Sequence, residues 1–321
     1  MTDHQTIAPT PPKYSVVIPV YKNYDSLPQV VKRLEWLQER LDGVLEAVFV
    51  VDGSPDESAL LLRHLLPQSQ LQSQLICHSR NFGSFAAIRT GFLAARGSYV
   101  AAMAADLQEP VELVQSFFEK LDSGDWDVAI GTRGTRHDPW FSRTMSKTYW
   151  SFYRRWVQTD MPSGGVDIFA TTRQVARNFD ALGESNSSLI GLLFWLGYRR
   201  VEIPYSRSER EHGKSAWTFG KKLRYLLDSV FSFTSIPITA ILVVGLVGSI
   251  VALIAAFVVF MSWVFGQIPV PGYAAQMLVL PFATGSILFA LGIVGTYVWR
   301  SFENTKNRPS SIVMLHETFH G

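Results

Sequence analysis

Short polar clusters punctuate the first 133 residues of this chain, and each follows an apolar run. They are Pro19-Val20-Tyr21-Lys22-Asn23, Val51-Asp52-Gly53-Ser54-Pro55-Asp56, Ser79-Arg80-Asn81-Phe82-Gly83, Ala104-Ala105-Asp106-Leu107-Gln108-Glu109-Pro110 and Gly131-Thr132-Arg133. Asp52, followed by Gly-Ser, is able to accept hydrogen bonds from a base or a ribose. The same residues also make an ordinary turn and helix cap, and the two readings stand side by side. Arg80 opens a helical stretch and suits a phosphate held near a helix N-terminus. Glu109 is a spare carboxylate, but Pro110 after it marks it as a helix-start residue rather than a general base. His64, His78, His137, His212 and His320 share no metal-ligand spacing. They read as surface or core histidines.

The runs before these clusters are YSVVIPV from Tyr14, EAVFVV from Glu46, QLICH from Gln74, SYVAAM from Ser98 and DVAIGT from Asp127. Their apolar character is continuous rather than alternating, which predicts parallel strands covered on both faces. Helical patterns lie between them at Ser26–Leu41, Asp56–Leu66, Ser84–Ala95 and Pro110–Ser123. Asp56 suits a cap and Pro110 a first turn. Alternating strands and helices predict an α/β fold with a doubly wound, mostly parallel sheet and helices on both faces. Ligands of such sheets bind beyond the carboxyl ends of the strands, where the polar clusters fall.

Taken together, "VIPVYKN", "VVDGSPDES", "SRNFGSFAAIRTGF", "ADLQEP" and "GTR" resemble the inverting glycosyltransferases of family 2. The similarity is greatest to the membrane-bound polyprenyl-phosphate branch, which includes dolichol-phosphate mannose synthase, undecaprenyl-phosphate glucosyltransferases and the aminoarabinose transferase. It runs from Tyr14 to about Arg308 and implies a GT-A (Rossmann-like) fold. The resemblance implies that Pro19, Tyr21, Val50 and Asp52 line a nucleotide base pocket, with Asn23 where relatives often carry Glu. Asp106 corresponds to the second Asp of the Asp-x-Asp motif, binding Mg²⁺ or Mn²⁺ on the donor diphosphate beside Ala104 and Ala105. Gln108 would sit by the diphosphate or the incoming sugar, and Arg133 would hold a phosphate. Arg210, in Arg-Glu-His-Gly-Lys-Ser, matches the Arg of a late loop that closes over the diphosphate. Arg143, Ser146 and Lys147 fall where relatives contact the acceptor phosphate.

Three departures from the pattern stand out. Val51 replaces the first acidic residue before Gly-Ser, Ala104 replaces the first Asp of Asp-x-Asp, and Ala216 replaces a Lys in the late loop. Lys214 stands close enough in sequence to supply that last charge. A single carboxylate plus a diphosphate still meets the minimum for Mg²⁺, which keeps several waters. An enzyme is therefore expected, carrying out single-sugar transfer with a metal and Arg side chains stabilising the leaving diphosphate. A lipid-phosphate acceptor is already anionic and needs no general base. The rival expectations are a catalytically silent nucleotide-sugar-binding scaffold and the same chemistry with a hydroxyl acceptor.

The C-terminal third has another character. Between Asp228 and Arg300 lie 71 residues without Asp, Glu, Lys, Arg or His. Two apolar stretches, about 236–260 and 277–299, are each long enough to span a bilayer, which takes roughly 20 helical residues. They predict a two-helix transmembrane hairpin over 233–300. Lys221, Lys222 and Arg224 precede it and Arg300, Lys306 and Arg308 follow it. The positive-inside rule then places the 14–216 domain in the cytoplasm, at the inner membrane. The aromatic, basic run Trp140–Trp156 suits the membrane interface, and 217–232 reads as an interfacial amphipathic helix. Residues 1–13 and 301–321 are expected to be tails, the first flexible and without the apolar core of a signal peptide. With 29 Lys and Arg against 27 Asp and Glu, the net charge of +2 gives no global attraction to nucleic acid. Cys77 is alone, which fits a reducing compartment. By resemblance the chain is expected to form a homo-oligomer, a tetramer.

Overall fold

The computed structural model describes residues 10–133, 168–181, 188–206, 236–265, 273–306 and 308–320, with a few isolated positions between these segments. The chain divides into two compact units, one from residues 1–219 with 308–321 and one from residues 220–307.

Among the described residues, the first unit is built on one eight-stranded sheet. Its strands are β1 (Tyr14–Val20), β2 (Leu45–Val51), β3 (Gln72–His78), β4 (Tyr99–Ala102), β5 (Val128–Arg133), β6 (Phe169–Thr172), β7 (Arg200–Tyr205) and β8 (Val313–Phe319). The helices are α1 (Leu27–Gln38), α2 (Ser58–Leu65), α3 (Ser84–Ala94), α4 (Val111–Asp122), α5 (Arg173–Ala181) and α6 (Leu189–Trp195). The strand order is β7-β5-β6-β4-β1-β2-β3-β8. β4, β1, β2 and β3 run parallel, so their carboxyl ends open on one edge. β6 runs antiparallel between β4 and β5, and β8 runs antiparallel to β3.

The apolar runs explain the centre of this sheet. Val16, Val17 and Ile18 of β1 and Val48, Phe49 and Val50 of β2 are fully buried, as strands covered on both faces require. The covering helices present apolar stripes: Val30, Val31, Leu34 and Leu37 on α1, and Val114, Phe117, Phe118 and Leu121 on α4. On α3 a glycine does this work. A Cβ on Gly91 would stand 2.2 Å from a methyl of Val17, so only Gly lets α3 lie this close to β1. The buried carboxylate of Glu46 accepts hydrogen bonds from Ser15 Oγ, Gln74 Nε2 and both the backbone N–H and Nε of Arg96. It pins the amino-terminal side of β1, β2 and β3, opposite the polar clusters.

The expected elements appear with small shifts at their ends, and three strands were not foreseen. β6 is four residues long, β7 carries Pro204, and β8 lies in the segment read as a C-terminal tail. That segment is no tail: Val313–Phe319 forms the edge strand beside β3.

The second unit holds α7 (Ile236–Val264) and α8 (Tyr273–Thr305), both longer than the expected spans. Apolar side chains on both are exposed, among them Leu242, Leu246, Phe257, Leu280 and Leu288. Among the described residues one segment, Ala283–Thr305, is long and apolar enough to cross a membrane; Ile236–Gly248 is apolar but shorter. At the end of α8, Arg300 pairs with Asp228 at 2.6 Å and stacks over Phe231. The expected helices over Trp140–Trp156 and 217–232 fall almost wholly outside the described residues.

Candidate active site

The loops after β1, β2, β3 and β4 are tied into one constellation by named hydrogen bonds. The loop after β1 turns sharply at Lys22, a non-glycine residue with φ of 58°. Its backbone N–H donates to Ser54 Oγ at 2.8 Å, and the N–H of Tyr24 donates to Asp56 Oδ2 at 3.3 Å. Asn23 folds back so that its Oδ1 accepts from the N–H of Tyr21 at 3.0 Å. Ser26 then joins two loops: its Oγ lies 3.0 Å from the carbonyl of Asn23 and 2.7 Å from that of Ala105. Arg33 on α1 donates to the carbonyl of Leu107 at 3.3 Å.

Asp52 joins the loops after β2 and β3. It is only 2 % exposed. Oδ1 accepts from the N–H of Phe82 at 2.8 Å and lies 2.9 Å from His78 Nδ1, while Oδ2 accepts from the N–H of Gly83 at 2.7 Å. Burial pushes its pKa up, but these bonds to the ionised form outweigh burial and hold it below the ordinary carboxylate value. Asp52 therefore caps neither α2 nor α3: it ties down the two N–H groups of the loop that leads into α3. Gly53 permits the approach. Its φ is +56°, and a Cβ there would lie 2.2 Å from the carbonyl carbon of Arg80. Asp56 stands one residue before the expected cap position: the N-cap of α2 is Glu57, and Asp56 Oδ1 accepts from the N–H of Ser58, the first helical residue, at 3.3 Å.

Arg80 is exposed, with its guanidinium 4.1 Å from the Phe82 ring centre. Tyr21 is exposed and Pro19 partly so. Val50 differs from expectation. Its side chain is fully buried because residues alternate along β2 and both faces of the sheet are covered. It offers no side-chain surface to a ligand.

The loop after β4 carries Asp106. Residues alternate in burial: Ala105, Leu107 and Glu109 are buried, while Ala104, Asp106 and Gln108 are partly exposed. Leu107 adopts φ of 60°, which turns the chain while its side chain joins the core. Such a left-handed conformation in a bulky residue costs about 1–3 kcal/mol and persists where surrounding structure enforces it. Asp106 Oδ1 accepts from the N–H of Gln108 at 3.4 Å. Among the described residues no group of three or more His, Cys, Asp or Glu side chains could hold a metal ion. A hard divalent cation would have Asp106 as its protein ligand, completed by substrate phosphate and water, and the oxygen donor fits that need.

Arg133 ends β5, whose register pairs it with Tyr205 of β7. Arg143, Ser146, Lys147, Arg210 and Lys214 lie outside the described residues. Sequence reasoning missed Ser26 and Ser54 as loop ties and His78 as the partner of Asp52. The 26-residue separation of Asp52 and His78 has no meaning until β2 pairs β3 with Val51 opposite Cys77.

Residues 15–183 match the model for glycosyl transferase family 2. An uncharacterised glycosyltransferase from Synechocystis (sll0501) is 31% identical over 302 residues, covering 93% of this chain and 94% of the relative. The uncharacterised glycosyltransferase YkcC of Bacillus subtilis is 28% identical over 303 residues, covering 94% and 93%. Among solved structures, a mannosyltransferase from Pyrobaculum calidifontis in complex with GDP-Man and Mn²⁺ aligns over 92% of this chain and 90% of its own. Its identity is 14% and its TM-score 0.44. The chain belongs to glycosyl transferase family 2 and is a glycosyltransferase with a GT-A-like sheet.

Proposed function

We propose that this enzyme transfers a single sugar, with inversion, from a nucleotide-sugar to a polyprenyl phosphate at the cytoplasmic face of the inner membrane. The donor is expected to be UDP-linked. Its base and ribose would meet the loops after β1 and β2, and its diphosphate would meet Asp106 with a bound Mg²⁺ or Mn²⁺. Such a cation would supply electrostatic stabilisation of the leaving diphosphate. Gln108, Arg133 and Arg210 are proposed beside the phosphates, and Arg143, Ser146 and Lys147 at the acceptor phosphate. The acceptor oxygen is anionic, so no side chain is assigned as base.

One observation carries the lipid part of this reading. The apolar segment is inserted between two strands of a single sheet: the chain leaves after β7 at one edge and returns as β8 at the other. Both flanks therefore share one compartment, and any membrane crossing between them must come in an even number. α7 at 29 residues and α8 at 33 residues each exceed the roughly 20 that span a hydrocarbon core. Many of their described apolar side chains are exposed, among them Leu242, Leu246, Phe257, Leu280 and Leu288, and an exposed apolar surface of this kind suits contact with lipid. A glycosyltransferase domain whose inserted segment met lipid would suit a lipid acceptor.

A panel of UDP- and GDP-sugars against undecaprenyl phosphate, with Mg²⁺ or Mn²⁺, tests this. Transfer of label to the lipid is expected, with loss of transfer in Asp106→Ala while the circular dichroism spectrum is retained. Turnover in that variant would remove Asp106 from its role. Transfer to a hydroxyl acceptor that free polyprenyl phosphate does not compete away would overturn the acceptor.

A further inference from the structure

A line of side-chain hydrogen bonds runs from the loop after β2 to the segment that follows the last apolar helix. Asp52 Oδ1 lies 2.9 Å from His78 Nδ1, His78 Nε2 lies 2.9 Å from Thr90 Oγ1, and Thr90 Oγ1 lies 2.8 Å from Ser311 Oγ. We infer that Ser311, Thr90 and His78 are positioning residues for the donor, holding Asp52 and through it the 79–83 loop in its binding shape. This rests on the reading of that loop as part of the donor site.

The carboxylate end of the line is fixed: a carboxylate only accepts, so His78 Nδ1–H donates to Asp52. A ring with one proton accepts at Nε2 from Thr90, whose oxygen then accepts from the Ser311 hydroxyl; a ring with two donates at Nε2 to Thr90, whose hydroxyl then donates to Ser311. Removing Thr90 Oγ1 takes away the partner of His78 Nε2 and lets the imidazole turn, and removing Ser311 Oγ takes away one of the two partners that fix the Thr90 hydroxyl against the ring. His78 and Asp52 are each 2 % exposed, where a lost partner is not replaced cheaply by water.

The line ends on the groups that shape the loop. Asp52 holds the N–H groups of Phe82 and Gly83, and Gly53 packs against the backbone of Arg80. A second strand of evidence is the backbone. The N–H of Ser79 donates to the carbonyl of Ile312 at 3.0 Å, and the β3–β8 register shifts at Cys77 and His78, next to this loop. Ser311 lies six residues beyond the end of α8 and 221 residues from Thr90 in sequence. A residue recruited from that distance to a two-hydroxyl link beside the site sets the loop's shape, whereas β8 pairing alone would have closed the sheet edge.

The test uses the full chain in lipid nanodiscs. Thr90→Val and Ser311→Ala remove one hydroxyl each, Ser311→Thr restores it, and Arg63→Gln removes only the Arg63–Glu317 pair of β8. Amide exchange at Phe82 and Gly83, without nucleotide, is expected to rise about tenfold in the first two variants. It should stay at the wild-type rate in the other two. KM for the nucleotide-sugar should rise in the same two variants by about tenfold, with kcat within about twofold. Unchanged exchange, or an equal rise in Arg63→Gln, overturns the inference. Faster exchange with unchanged donor KM also overturns it, since the loop's shape would not then serve the donor. Wild-type protein that turns over no donor at all would count instead against the glycosyltransfer reading, because the exchange arm contains no nucleotide.

Discussion

Two carboxylates in this site have opposite settings, and their settings predict opposite behaviour. Asp106 is partly exposed on a turn and its proposed role is with a ligand; Asp52 is buried and occupied by protein donors. Substituting Asp106 should act on rate, by about 10²-fold or more in kcat, the scale of losing one electrostatic stabiliser of a leaving group. Substituting Asp52 should act on stability. Its folded-state pKa is depressed, so its contribution is present above the unfolded value of about 4 and is lost as pH falls through the folded value. Asp52→Asn should cost about 2–4 kcal/mol at pH 7, because an amide group would face donors meant for a carboxylate. Thermal melts of both proteins from pH 7 to pH 3 should show that gap narrowing below pH 4. A gap independent of pH would mean that Asp52 acts by shape alone.

At the scale of elements, what sequence reveals depends on how local the cause is. β1 to β5 are legible because each carries its own apolar run, and α1 to α4 because helical patterns lie between those runs, with Asp56 and Pro110 marking two of the starts. β6, β7 and β8 are not. Phe169–Thr172 is too short to show a period, and Pro204 argues against a strand inside β7. β8 reads as part of a C-terminal tail because what makes it a strand is the open edge of β3, more than 230 residues earlier. The site divides the same way. Asp106 is legible through the family resemblance and Asp52-Gly53-Ser54 as a polar turn at a strand end, whereas His78, Thr90 and Ser311 matter only through pairing across elements. Gly53 shows the cost of that pairing. Gly53→Ala meets both a left-handed backbone and the Arg80 carbonyl carbon at 2.2 Å, so about 2–4 kcal/mol should be lost. Chemical denaturation measures it. A loss under about 1 kcal/mol would show that the 79–83 loop yields easily, and that the close approach is not needed to hold the fold.

For the whole molecule, topology constrains what orientation is possible. β1 to β7 and β8 belong to one sheet, so the two ends of the inserted segment cannot lie on opposite sides of a bilayer. If α7 and α8 cross a membrane they must cross it together, and under the proposed function the basic residues flanking the insert would favour the cytoplasm for both ends. The short uncharged connection between α7 and α8 would then face the other side. The chain's own chemistry allows a clean test, because its only cysteine, Cys77, is buried at 5 % exposure. Gln267→Cys introduces a thiol into that connection, and His320→Cys places one after β8. In intact spheroplasts a membrane-impermeant maleimide should label Gln267→Cys and leave His320→Cys unlabelled. In inverted vesicles the pattern should reverse. Labelling of both from the cytoplasmic side would mean that α7 and α8 lie along the membrane surface. The even number of crossings would then be zero, and the lipid acceptor would lose its strongest support.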